Sequence, residues 1–250
     1  MSSNSETGHP KNVANYASLV QICLSLGESY NPSNAAIKVP ALQALLADGQ
    51  QAITRVNVTY QPYALAVAAR QDAFKPVSKL VSRIYSALVS SGAPDSVIEI
   101  ALTSIRKLQG RRANAKLTEE EKLAIEAETG KPVVEHSSSQ QSMDSAVNFF
   151  EQLLTLLQSV PEYAPNEPEL QVTALQAVLT NLKTKNEAVM PLESPLTQAR
   201  AQRDQVLYTP VTGLIASATK VKAYLKSLLG TTSPIYKQAT ALKFSNLKKK

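Results

Sequence analysis

An all-α fold follows from three features of these 250 residues. Ala and Leu (32 and 30 residues) make up a quarter of the chain. Gly and Pro number only 8 and 14, and aromatic residues are 5%, which leaves too few turn and strand formers for an all-β fold. Apolar residues recur three and four positions apart over long stretches, the period of a helix with one buried face. The expected architecture is an elongated helical bundle of two pseudo-symmetric units, each with one long, kinked helix and shorter flanking helices.

Residues 1–10 are polar, carry His9, and are expected to be disordered. They contain no apolar core of a secretory signal. The first flanking helix spans 12–28, with Val13, Tyr16, Val20, Cys23 and Leu24 on one face. The long helix follows. Leu42, Leu45, Gly49, Ala52, Val56, Thr59, Tyr63, Ala66, Arg70, Ala73, Val77, Leu80, Ile84 and Ala87 alternate three and four apart. Only Gly49, Thr59 and Arg70 among them are neither apolar nor aromatic. This is the 3.5-residue seam of a coiled coil, and it predicts one helix of roughly 50 residues, about 75 Å long at 1.5 Å per residue. Ser91-Ser-Gly-Ala-Pro94 ends it, with Gly92 suited to a left-handed cap. A basic helix follows near 95–110.

Thr118 with Glu121 reads as a capping box that opens a short acidic helix ending at Gly130-Lys-Pro132. His136 to Gln141 reads as a polar linker. A second flanking helix covers 145–160, with Phe149, Phe150, Leu153, Leu154, Leu156 and Leu157. Leu175, Val178, Leu182, Lys185, Val189, Leu192, Leu196, Ala199, Arg203 and Val206 then hold a second seam. After a shift of one residue it continues through Leu207, Val211, Leu214, Ala218, Val221, Leu225 and Leu228. A last basic helix is expected over 233–246. Pro62, Pro76, Pro191, Pro195 and Pro210 lie inside the long segments, and each costs roughly 3 kcal/mol in a helix interior. The seam keeps phase through Pro62, Pro191 and Pro195, so kinks are expected ahead of clean breaks.

The two seams are related. Shifting the chain by 133 residues aligns 30–46 with 163–179 and matches eight of 17 positions, among them Tyr30/Tyr163, Pro32/Pro165 and Leu42/Leu175. The same offset pairs Arg70 with Arg203. This implies an internal duplication and sets the organisation: 1–10 a polar start, 11–116 helical unit one, 117–141 an acidic connector with a short helix, and 142–250 helical unit two with a basic C-terminal tail.

The formal net charge is +6, but it is segregated. Residues 101–116 carry five basic and no acidic groups, 117–169 two basic and 11 acidic, and 205–250 eight basic and none acidic. Such blocks pair within a molecule or between neighbours in an assembly. The single cysteine, Cys23, excludes an intramolecular disulfide and reads as core. The absence of a long apolar run excludes a spanning helix, so a cytoplasmic protein is expected.

Catalytic chemistry finds little support. The two histidines, His9 and His136, have no partners at metal-ligand or triad spacing. There is no glycine-rich phosphate loop, Cys-x-x-Cys pair or calcium loop. No enzyme activity, cofactor, metal or small-molecule substrate is expected. Arg70 and Arg203 are the informative polar residues, both on an inward seam. Each either snorkels to solvent or meets a carboxylate and fixes the register of the long helices. Lys237, Lys243, Lys248, Lys249 and Lys250 form a basic end beside Tyr236 and Phe244, which either solubilises the chain or contacts a polyanion.

Four stretches of unit two carry a resemblance: Tyr163-Ala-Pro-Asn-Glu-Pro-Glu-Leu170, Ala199-Arg-Ala-Gln-Arg-Asp-Gln-Val-Leu-Tyr208, Val221-Lys-Ala-Tyr-Leu-Lys-Ser-Leu-Leu-Gly230 and Ser233-Pro-Ile-Tyr-Lys-Gln-Ala-Thr-Ala-Leu-Lys-Phe244. They resemble an uncharacterised family of bacterial all-helical proteins with an internal duplication. Pro191 and Pro195 depart from that pattern. The resemblance implies a helical fold and brings no activity and no site residue. The functional expectation is a non-enzymatic structural or scaffold protein that self-associates into a homo-oligomer or polymer through its coiled-coil-like helices, with other protein partners open. The alternative is a module binding nucleic acid or an anionic membrane surface through the basic C-terminal region. A helical toxin component ranks third, because no long apolar hairpin is present.

Overall fold

The computed structural model describes residues 8–111, 119–129 and 142–247. Among them ten α-helices and three short 3-10 turns occur, and no strand. In chain order the helices are α1 (His9–Ser25), α2 (Val39–Phe74), α3 (Val77–Ser90), α4 (Asp95–Leu108), α5 (Glu119–Thr129), α6 (Met143–Gln158), α7 (Val172–Glu187), α8 (Met190–Tyr208), α9 (Leu214–Leu229) and α10 (Pro234–Ala241). The 3-10 turns are Gly27–Ser29, Ala35–Ile37 and Pro168–Leu170. Two long, bent helical stretches of 52 and 37 residues, 39–90 and 172–208, dominate. Thr118, His136 and the linker to residue 141 lie outside the described residues, as do the first seven.

The first long stretch follows the seam closely. None of its 14 positions is exposed. Pro62 sits inside α2 without breaking it, and Lys75 and Pro76 form the turn where α2 gives way to α3. Pro76 precedes α3, where its missing N–H removes no helical bond. Gly92 takes φ +83° after α3, the left-handed conformation a β-carbon disfavours.

The second stretch departs from the expectation in one place. The shifted seam stays inward at Leu207, Leu214, Ala218, Val221 and Leu225, all buried, but the helix carrying it breaks after Tyr208. Residues 209–213 form a loop, Val211 is 67% exposed, and its φ is +73°. Pro210 cannot donate into the helix, and the loop closes instead through Gly213 N–H to Thr209 O at 2.9 Å. A β-carbon on Gly213 would lie 2.7 Å from both the N and the O of Thr209, so the closure requires glycine. Leu228, the last residue of the expected seam, is also exposed. A further turn at 188–189 separates α7 from α8 just before Pro191, while Pro195 stays inside α8.

Two compact lobes result. Among the described residues, the first gathers 8–64 and 191–247, and the second 65–111, 119–129 and 142–190. Each therefore takes helices from both sequence stretches. In the first lobe, Tyr16, Leu19, Val20 and Cys23 of α1 pack with Leu42, Leu207, Leu214, Val221, Leu225 and Ala239. Gly49 lets Leu214 approach closely, because a β-carbon there would lie 3.1 Å from Leu214 Cδ1. In the second lobe, Phe150, Leu153, Leu154 and Leu157 of α6 pack with Val81, Ile84, Leu88, Ala101, Ile105, Leu175 and Leu182.

A tyrosine fixes the loop ahead of each long stretch. Tyr30 Oη donates to Ile37 O at 2.8 Å, and Tyr163 Oη donates to Leu170 O at 3.0 Å. Both rings are buried, and burial raises both phenols, Tyr163 to about 12. Removing one hydroxyl leaves a buried carbonyl unpaired, a loss of about 1–3 kcal/mol. Tyr30→Phe and Tyr163→Phe should therefore each lower the urea unfolding midpoint at unchanged helicity, and circular dichroism across a urea series measures both.

Candidate functional site

The first lobe holds a buried polar cluster around Tyr208, at the C-terminus of α8. Asn12 on α1 is 3% exposed. Its amide donates to Tyr208 Oη at 3.3 Å and to Ser245 O at 2.8 Å, and its Oδ1 accepts from Ser245 N–H at 3.0 Å. Asn12 thus pairs with Ser245 as a second peptide group would. Asn15, one turn on, donates to Lys243 O at 2.6 Å. Together they bind the chain after α10 along α1.

His9 opens α1, so the polar start becomes ordered at the point where this cluster needs it. Its Nδ1 lies 2.6 Å from Tyr208 Oη. Which of the two donates follows the imidazole tautomer. Burial, then the Arg203 charge, lowers the His9 pKa from its ordinary 6.5. Burial raises the Tyr208 phenol. The cluster keeps both groups neutral and suits them to holding the tail in place. Neither is shifted in the direction that would activate it as a base or nucleophile.

Arg203 sits beside this cluster on α8 and pairs with its own neighbour, Asp204, through Nε at 2.9 Å and Nη2 at 2.7 Å. Its fork is closed within one helix. Arg70 differs. In the second lobe its Nη1 lies 3.4 Å from Asn186 Oδ1 on α7, and Asn186 Nδ2 donates to Asp144 Oδ1 on α6 at 2.6 Å. An amide relays the arginine charge to a carboxylate, so α2, α7 and α6 are joined by one polar chain. Arg70 Nε is buried with no hydrogen-bond partner among the described residues.

The basic end is divided. Lys237 and Lys243 are exposed, while Lys248, Lys249 and Lys250 lie outside the described residues. Tyr236 and Phe244 are partly buried against the first-lobe core, and Lys222 Nζ stands 4.9 Å above the Phe244 ring. One face of Phe244 is thus covered by the protein itself. Cys23 is fully buried and its thiol is pushed up to about 11 by burial, which makes it an inert core residue.

The second lobe carries an open cavity of about 910 Å³ between α3 and the loop before α7. Ser82, Ser86, Ala87, Glu162, Pro165 and Glu167 are among its lining residues. Arg83 and Glu169 form an exposed ion pair at its edge. Among the described residues no group of three or more His, Cys, Asp or Glu side chains could hold a metal ion, and no helix is long and apolar enough to cross a membrane.

Neither His9–Tyr208 nor Asn12–Ser245 was visible in the sequence. The partners are 199 and 233 residues apart, and the only local signal is His9, Asn12 and Asn15 recurring three apart on one helical face. The cluster makes stability depend on pH. The unfolded chain protonates His9 first, because the folded value is the lower one. Stability from His9 is therefore complete above about pH 6.5 and is lost as pH falls through the folded value. Urea midpoints between pH 8 and pH 5 should show a smaller acid loss for His9→Gln than for the wild-type chain.

No protein family, curated protein or solved structure matches this chain.

Proposed function

We propose that the chain is an internally duplicated helical scaffold that works by associating with further copies of itself, without catalysing a reaction. The duplication draws support from repeated detail. The tyrosine-to-carbonyl bond recurs at an offset of 133, from Tyr30–Ile37 to Tyr163–Leu170. Buried Tyr16, Leu19, Val20 and Cys23 correspond at an offset of 134 to buried Phe150, Leu153, Leu154 and Leu157. Buried Val77, Val81, Ile84 and Leu88 correspond at an offset of 137 to Leu214, Ala218, Val221 and Leu225. Substitutions at matched positions compensate. Tyr16 bonds Ser217 at 2.8 Å in one lobe, and the matched residues in the other are Phe150 and Leu80, both apolar.

The observation that carries self-association is the outer face of α2. Val58 and Leu65 are 65% and 69% exposed. Exposed apolar side chains on a helix suit packing against another chain. Segregated acidic and basic stretches would steer that contact.

Light scattering across a wide concentration range should give a mass above 27.0 kDa that grows with concentration. Val58→Glu with Leu65→Glu should return it toward the monomer. A single chain mass at every concentration would sink the reading.

The second reading, polyanion binding, rests on cation crowding in the first lobe. Lys222 has its pKa lowered by burial and then by the Lys243 charge, and Lys237 and Lys243 are exposed nearby in sequence. If it holds, affinity for a nucleic acid or for anionic vesicles should fall steeply with salt and weaken on deleting Lys248 to Lys250.

A further inference from the structure

The two lobes treat one matched position differently. In the first lobe the Tyr224 ring stands edge-on to Tyr30, with centroids 5.2 Å apart and planes at 89°. Its hydroxyl accepts from Asn31 N–H at 3.2 Å. Tyr224 therefore fills the space between α9 and the loop that Tyr30 locks. At the offset of 137 that relates α9 to α3, Tyr224 corresponds to Ala87. At the offset of 133 that relates the loops, Tyr30, Asn31 and Pro32 correspond to Tyr163, Ala164 and Pro165. Ala87, Ala164 and Pro165 all line the open cavity of the second lobe. The cavity lies where the first lobe keeps a phenol ring.

We infer that this cavity is a binding slot for a tyrosine side chain presented by a basic peptide segment of a partner. The inference rests on the repeat reading above. The shape argument is the matched site itself, where a phenol seats between a helix and a Tyr–Asn–Pro turn with its hydroxyl hydrogen-bonded. The charge argument is the rim. Glu162 and Glu167 are exposed carboxylates, and Arg83 is engaged by Glu169. Ser82 and Ser86 add hydroxyls. Both serines already donate to carbonyls one turn back, at 3.0 and 3.2 Å, and Ser82 Oγ already accepts from Gln109 Nε2 at 2.8 Å, so Ser86 Oγ is the serine acceptor offered to a ligand. Ala164 N–H is taken by Glu162 O at 3.0 Å, which directs an incoming phenol to donate its proton to a carboxylate or serine oxygen. A phenol occupies only part of about 910 Å³, leaving room for the residues on either side of the tyrosine. A lysine on each flank would meet Glu162 and Glu167.

The probe is the peptide acetyl-Lys-Tyr-Lys-amide, titrated into the full chain and followed by amide chemical shifts. Saturable shifts at Ala87, Ala164 and Glu167 are expected, with at least tenfold weaker binding of acetyl-Lys-Ala-Lys-amide. Ala87→Tyr should fill the slot and weaken the tyrosine peptide at least tenfold. Glu167→Lys, an exposed loop substitution that leaves the packing alone, should weaken it several-fold. No saturable shift on the wild-type chain overturns the slot, and so does a tyrosine peptide that binds Ala87→Tyr as well as wild type. Tyr224→Ala tests the repeat reading separately. It should open a matching slot, several-fold weaker for this peptide because Ser29 and Asn34 stand where the second lobe has Glu162 and Glu167, and raise the stoichiometry at saturating peptide from one to two. One peptide bound per Tyr224→Ala chain, with wild-type binding intact, overturns the equivalence of the two lobes and leaves the slot standing.

Discussion

A buried hydroxyl that must find an acceptor governs where each long helix begins. Tyr30 and Tyr163 are driven inward by their rings, and a phenol proton inside a core has to be satisfied locally. Ile37 and Leu170 are themselves buried, so their carbonyls have the same requirement. One bond answers both in each lobe, spanning seven residues of loop. It holds the 3-10 turn that precedes Val39 and Val172, and in the first lobe Asn34 Oδ1 adds a cap to Ala36 N–H at 3.0 Å. The first residue of a helix sets the angle at which its apolar stripe leaves. Fixing the loop therefore aims the apolar stripe of α7 at α6, the helix that came before it, and starts α2 with Leu42 in the first-lobe core.

The interiors built on these loops use different chemistry. The first lobe is tied by neutral hydrogen bonds between groups far apart in the chain: Tyr16 with Ser217, Asn12 with Tyr208 and Ser245. The second is apolar at its centre and carries its polar contacts outward, in the relay from Arg70 through Asn186 to Asp144 and in the pair of Lys183 with Glu151 at 2.7 Å. That pair is exposed and worth little. The neutral network specifies more, because each buried amide or hydroxyl accepts only one arrangement of partners. It is also where the chain after α10 is held, through Asn12 and Asn15 on α1.

Much of the backbone plan was legible, and the physical reason is period. A seam held at 3.5 residues puts Leu42 through Ala87 on one side whatever the helix packs against, and every one of those positions is sheltered. The prolines were less legible because their effect depends on context absent from the sequence. Pro62 and Pro195 are exposed, so the carbonyl each leaves unpaired faces water, and the helix bends without ending. Ahead of Pro62 the Thr59 hydroxyl reaches back to Arg55 O and Val56 O at 2.9 and 3.1 Å, a contact that itself bends helices. At Pro210 a glycine three residues on offered a tighter alternative, and the helix stopped. The Tyr208 cluster was illegible for another reason. Its members come from the two ends of the chain and carry no shared period.

On the proposed duplication, matched positions in the two lobes show how such a plan tolerates change. Where the first lobe has Gly49 beneath Leu214, the offsets of 133 and 137 give Leu182 and Val77, both buried. A leucine over no side chain has become a leucine with a valine, so the second lobe fills with side chains the space that the first closes by bringing Leu214 against the backbone of Gly49. Either way the interior stays close-packed. The exchange of Tyr16 and Ser217 for Phe150 and Leu80 obeys the same rule for polarity, since a lone hydroxyl in either place would be left without a partner. Tyr224 and Ala87 break the pattern. There the loss of a ring is not made good by a larger neighbour, for Asn31 and Pro32 are matched by Ala164 and Pro165, one smaller and one the same. Interior positions cannot sustain such a deficit without collapse or a cavity. A position at the mouth of a groove can, because solvent or another molecule occupies the space. The uncompensated pair therefore lies where packing stops constraining the sequence and recognition is free to begin.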